Sequence, residues 1–251
     1  MSNRRPRGRR GTKRTAAVLG LGAAGIFAAS CAPMQPPPTG SSSKPAYLVS
    51  QVDTPTTAIL SVGDSVNLGP DGVTPYRMAG IPDGLGAYDN GEGTFTVLMN
   101  HELGATVGAV RAHGAKGAFV SKWIVDADTL EVLHGEDLIQ QVATHDTATG
   151  TWNAPAKGVV LNRLCSADLP APSALFDAAS GLGTTERLFL SGEEAGAEGR
   201  VFAHVATGAT AGTSYELPRL GKFSWENALA NPGTGASTVV AGTDDSTPER
   251  T

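Results

Sequence analysis

"FVSKWIVDADTLEV", residues 119–132, is the stretch on which the reading of the fold turns. Phe119, Ser121, Trp123 and Val125 alternate with Val120, Lys122, Ile124 and Asp126, the period of a strand with one buried face. Asp126-Ala127-Asp128-Thr129 then supplies turn formers, and Leu130-Glu131-Val132 resumes the apolar pattern. Strand, acidic turn, strand is a phrase common in the blades of β-propellers.

The same grammar extends in both directions. "AYLVSQV" (46–52), "FTVLMN" (95–100), "RLFLSGE" (187–193), "RVFAHVA" (200–206) and "STVVAGT" (237–243) are short runs rich in β-branched and aromatic residues. "YDNGEGT" (88–94) reads as a hairpin turn, because Asn90-Gly91 readily supplies positive φ values. Helical signals are few: "SALFDAASGL" (173–182) predicts a short helix and "WENALAN" (225–231) a turn or two of one. Units of about forty residues without long apolar helices predict an all-β chain, and a β-propeller in preference to a sandwich or a doubly wound sheet. The last strand runs into "DDSTPERT" with nothing to close a ring, so the expectation is a partial propeller belonging to a longer protein.

The N-terminal end of the chain carries targeting signals. Of 251 residues, the first are strongly basic ("MSNRRPRGRRGTKRT") and are followed by the Ala/Gly-rich apolar run "AAVLGLGAAGIFAAS". A basic region, a short apolar core and small residues describe an export signal over residues 1–31 rather than a membrane span. "AASC" resembles a bacterial lipobox, which makes Cys31 the expected lipidation site and lipid anchor, and Arg9-Arg10 resembles a twin-arginine signal. Residues 32–46, rich in Pro and Ser, read as a tether, with the folded part starting near Tyr47. The expected location is therefore the periplasm, the cell surface or the medium. The net charge of −5 argues against a nucleic-acid partner bound through phosphates.

Five clusters carry chemistry: Asp83; Asn100, His101 and Glu102; Cys165; Glu193 and Glu194; and Glu226 with Asp244 and Asp245. Four of them place carboxylates at or just past the end of an apolar run. Oxygen ligands brought together from several strand ends suit a hard cation such as calcium. Neighbouring carboxylates such as Glu193-Glu194 repel one another unless a cation or a basic side chain compensates. Taken alone, each cluster has a plainer reading: a solvated loop for the Glu pair, a turn cap for the Asp pair, a hydrogen-bonded histidine for His101 and a small buried hydrophobe for Cys165. With Cys165 the only cysteine after residue 31, no disulfide forms within the folded part.

Taken in order, "PDGLGAYD" (82–89), "LMNHE" (98–102), the Cys165 loop, "LFLSGEE" (188–194), "LGKFSWENA" (220–228) and "AGTDD" (241–245) resemble the catalytic propeller of PhoX-type alkaline phosphatases. The likeness spans roughly residues 75–251. It implies an exported phosphomonoesterase with iron and calcium at the mouth of a propeller. It further implies that Cys165 ligates iron, that Glu194 and Glu226 ligate metal, that Asp244 or Asp245 holds calcium, and that Asn100 and Glu102 stand at the first strand end of the site. Glu193 joins the expected metal set as the neighbour of Glu194. A small phosphate ester is the implied substrate, with the metals neutralising its oxygens. The chain departs from the family pattern where Gly192 replaces a cysteine, where Trp225 replaces a histidine before Glu226, and around Cys165, which lacks the family's Gly-Gly. Two other expectations stay open: a non-catalytic, calcium-stabilised binding module, and a different propeller hydrolase of lactonase type.

Overall fold

The computed structural model describes residues 38–66, 71–233 and 235–246. The predicted export signal and the Cys31 lipidation site lie outside them, as does the predicted twin-arginine pair. Among the described residues the chain is built from short strands, with three single turns of 3-10 helix as its only helical elements.

A two-residue pair, β1 (Ser65–Val66) and β2 (Tyr76–Arg77), precedes an antiparallel four-stranded sheet. That sheet is a simple meander of β3 (Pro82–Gly91), β4 (Thr94–His101), β5 (Phe119–Asp126) and β6 (Val132–Asp137). Next come β7 (Gln141–Ala143) and a small hairpin of β8 (His145–Asp146) and β9 (Thr151–Trp152). The second sheet uses β10 (Leu164–Asp168), and a minor hairpin of β11 (Phe176–Asp177) and β12 (Leu182–Gly183) follows it. The second sheet continues with β13 (Leu188–Glu193), β14 (Val201–Val205) and β15 (Thr213–Glu216). Its order is β10-β13-β14-β15-β7, with β7 returning to pair in parallel with β15. A final hairpin joins β16 (Trp225–Ala230) to β17 (Val240–Asp244). The all-β expectation holds; among the described residues no closed ring and no propeller blade repeat is identified.

The expected alternation in β5 is present: Phe119, Ser121, Trp123 and Val125 are buried, whereas Lys122, Ile124 and Asp126 are half-buried. Trp123 and Val125 join Val66 and Met78 in a cluster on one face of the first sheet. Val120 and Leu98 face the other way, into the main core with Leu164, Phe189 and Phe202 of the second sheet. A third cluster, Leu190, Val201, Ala203, Trp225 and Ala228, joins the second sheet to the last hairpin. The sheets thus stack in chain order, and β10 packs against both β3 and β16. Glycines permit this approach. A Cβ on Gly84 would collide with the backbone nitrogen of Ala167, and one on Gly192 with the Trp225 side chain.

Three local expectations are corrected. "WENALAN" is the strand β16, because Trp225 and Ala228 are buried against the second sheet and the run pairs with β17. "SALFDAASGL" yields one 3-10 turn (Pro172–Ala174) and the β11–β12 hairpin rather than a helix. "AYLVSQV" is not a strand; Tyr47, Leu48 and Val49 are exposed. The segment before it is instead tied to the domain: Gly40 N–H donates to the Thr129 carbonyl, Ser41 N–H to that of Ile59, and Val132 N–H to the Ser41 hydroxyl. The β3–β4 turn takes its positive φ values at Gly91, Glu92 and Gly93.

Candidate metal centre

Three antiparallel strand pairs present the same backbone device at one end. Their ladders begin at Pro82 opposite His101, Leu164 opposite Glu193, and Trp225 opposite Asp244. In each, the register slips just inside that first pair. A bulge of this kind re-aims the side chain that follows. One residue on from the first partner stand Asp83, Cys165 and Glu226; one residue past the second stand Glu102, Glu194 and Asp245. A backbone bond closes each end: Glu102 N–H to the Ile81 carbonyl, Glu194 N–H to Arg163, and Asp245 N–H to Ser224, all 2.9 Å.

The stacking of β3, β10 and β16 brings these ends together. Asp83, Glu102 and Cys165 each place a donor atom within 4.8 Å of the others, and so do Cys165, Glu194 and Glu226. The Cys165 sulfur belongs to both triads. It lies 3.3 Å from Glu226 Oε2 as a hydrogen-bond donor. Burial, the Glu226 bond and the Asp83 charge push the thiol well above its ordinary range, so it is protonated in the metal-free chain. Burial also raises Asp83. It raises Glu102 as well, against the pull of Arg163, and the bond and charge of Glu194 add to the rise. Glu194 is buried too, but the Arg163 bond and charge, with a hydrogen bond from Glu102, outweigh that and hold its carboxyl below the usual value.

Arg163 is the residue that the sequence reading missed. Its Nη2 lies 2.7 Å from Glu102 Oε1 and 2.6 Å from Glu194 Oε2. The signal was an arginine two positions before the only cysteine of the domain, but nothing in the sequence ties it to residues so far away along the chain.

The other expected ligands separate. Glu193 is corrected out of the set: its carboxylate accepts from Arg200 Nε and Nη2 at 2.8 and 2.7 Å and from the Asn162 and Arg200 N–H groups. Successive strand residues face opposite ways, so Glu193 points away when Glu194 points in. Asp244 spends both oxygens on the Ser246 N–H and hydroxyl, and it is exposed. Asp245 holds the position equivalent to Glu102 and Glu194, but is exposed and outside both triads. Asn100 is fully buried and donates from Nδ2 to the Cys165 carbonyl, which fixes β10 beside β4. Its Oδ1 has no partner. His101 is buried on the opposite face, its ring nitrogens bonded to Ser121 Oγ (2.9 Å) and the Gly80 carbonyl (3.2 Å). It stacks on Phe119 at 4.3 Å, and burial lowers its pKa to about 4.

A thiol and four carboxylates around shared space form a mixed sulfur–oxygen donor set. Such a set suits a transition ion such as iron, because thiolate is a soft ligand; calcium takes oxygen alone. The orphaned Asn100 Oδ1 beside Cys165 adds a further oxygen without a protein donor. Open clefts lie elsewhere: one of about 590 Å³ lined by Leu48, Val52 and Pro55, one of about 530 Å³ lined by Ala87, Tyr88 and Phe95, and an apolar one of about 510 Å³ lined by Leu85, Met99 and Trp123. The donor chemistry, rather than concavity, marks this site. No helix among the described residues is long and apolar enough to cross a membrane. No protein-family model, curated protein or solved structure matches the chain.

Proposed function

We propose that this chain is an exported, metal-dependent, phosphatase-like hydrolase of β-propeller type. The observation that carries the reading is the pair of triads sharing Cys165, each assembled from the ends of neighbouring strand pairs. Propeller architecture is supported by the side-by-side packing of β3, β10 and β16, each the first strand of its antiparallel pair and each delivering a donor to the same end. The PhoX-type resemblance supplies phosphate monoesters as the substrate class, iron for the thiol-containing triads and calcium for an oxygen-only position.

Asp83, Glu102, Cys165, Glu194 and Glu226 are the residues that would hold the metal. A cation there supplies Lewis acidity, drawing charge from the oxygens of a phosphate ester. Cys165 must give up its thiol proton on binding, and Glu226 Oε2, already its acceptor, is the base at hand. Asn100 holds the Cys165 backbone in place. Arg200 keeps Glu193 out of the site, so the pair does not compete for one cation.

The test is metal analysis and turnover on the full chain loaded with iron and calcium. Wild type is expected to retain transition metal and to hydrolyse an aryl phosphate. Glu226→Gln is expected to weaken metal binding at its own triad and to lower activity about tenfold or more. A protein that retains no metal and turns over no phosphate ester would sink this reading. A second reading, a non-catalytic module, is favoured by Arg163, which already bridges Glu102 and Glu194; bound metal without turnover selects it. Turnover of lactones but not phosphates selects a lactonase-type hydrolase.

A further inference from the structure

Arg163 is stitched between the two strand ends that supply the site. Its N–H donates to the Leu103 carbonyl (3.0 Å), next to Glu102, and its carbonyl accepts the Glu194 N–H (2.9 Å). Its backbone is held at φ +47°, in the left-handed region that a long side chain seldom adopts. One guanidinium nitrogen then reaches both Glu102 and Glu194. The side chain is still 46% exposed, whereas those of Glu102 and Glu194 are only 15% and 16% exposed. The arginine thus covers the carboxylates from the solvent side, with room to swing outward.

We infer that Arg163 is the resident counter-cation of this site, competing directly with an incoming metal ion for Glu102 and Glu194. The inference rests on the metal-site reading above. A divalent cation needs the same two oxygens, and two positive groups within a few ångströms of one another repel in the weakly screened edge of a protein. The chain therefore stands in one of two states. Without metal, Arg163 offsets the mutual repulsion of Glu102 and Glu194. With metal bound, the guanidinium moves to the solvent rim, where it is free to pair with an anionic ligand. Arg163 sets the threshold of metal concentration at which the site fills.

The experiment titrates the full chain with Co2+, following the thiolate-to-cobalt charge-transfer absorption that reports ligation by Cys165, together with the thermal unfolding midpoint. Arg163→Asn is the primary variant, since asparagine tolerates the left-handed backbone, and Arg163→Gly serves the same purpose if the first folds poorly. Both neutral variants are expected to bind Co2+ about tenfold or more tightly than wild type. Without metal they should melt at lower temperature, and they should gain more on adding it. Arg163→Lys, which keeps the charge, is expected to stay within about threefold of wild type. Equal or weaker Co2+ binding by the neutral variants would overturn the inference while leaving the metal site standing, because Arg163 would then be organising the ligands. No cobalt–thiolate absorption in any of the proteins would overturn the metal-site reading and this inference together.

Discussion

Glu193 and Glu194 differ by one position and share one chemistry, yet only Glu194 joins the cluster. The sequence shows that a carboxylate pair stands at a strand end; the pleat decides that just one of the two faces the site. Which one is set by Arg200, whose fork holds Glu193. Cys165, Glu102 and Glu226 were legible as candidates because each adjoins an apolar run. Arg163 was not, because an ion pair between loop and strand ends follows from sheet packing rather than from spacing. The Glu193 assignment predicts that Glu193→Ala destabilises the fold by about 3 kcal/mol, since it strands Arg200 without its partner. Urea unfolding measures this. Metal content should match wild type, and a proportional loss of metal would return Glu193 to the ligand set.

At the level of elements, runs rich in β-branched and aromatic residues identified β4, β5, β13, β14 and β17; the first four lie against packed cores, whereas β17 is mostly exposed and is held by pairing with β16 and by Val240. "WENALAN" misled because Glu, Asn, Ala and Leu are acceptable in a helix; burial of Trp225 and Ala228 with pairing to β17 overrides that local preference. The repeated bulge was invisible, since the three strand pairs share no residue at it: Asp83, Cys165 and Glu226 differ in type and in distance along the chain. Gly84 is the glycine on which the approach of β3 to β10 depends. Gly84→Ala is expected to cost roughly 1–3 kcal/mol and to loosen the Asp83–Cys165 juxtaposition. Chemical denaturation and Co2+ affinity together check it; an unchanged affinity with full stability would show that β3 and β10 have slack.

Across the whole molecule, buried histidines link the two large sheets to pH. His204 is fully buried between Ser191 and Ser214, and burial lowers its pKa to about 3. His101 sits in the first sheet with its pKa near 4, and burial lowers His113 as well. In the unfolded chain each titrates near 6.5. Depressed folded-state values mean that this stability is whole above about pH 6.5. As pH falls below that, the unfolded state takes up protons that the folded state refuses. At pH 5 His101 and His204 together should have lost about 4 kcal/mol relative to pH 7.5. A urea midpoint that stays level between those pH values would contradict it. This buried network, unlike the strand pattern, could not be foreseen from five scattered histidines.

The sharing of Cys165 between the triads has a consequence for how the site fails. Four carboxylates divide the remaining positions between them, so losing any one leaves the other triad whole. The sulfur has no understudy. Oxidation of that single atom to a sulfenate would disarm both halves, and the neighbouring strands contain no second thiol to trap it as a disulfide before further oxidation to the sulfinate. The centre is redundant in charge and singular in sulfur.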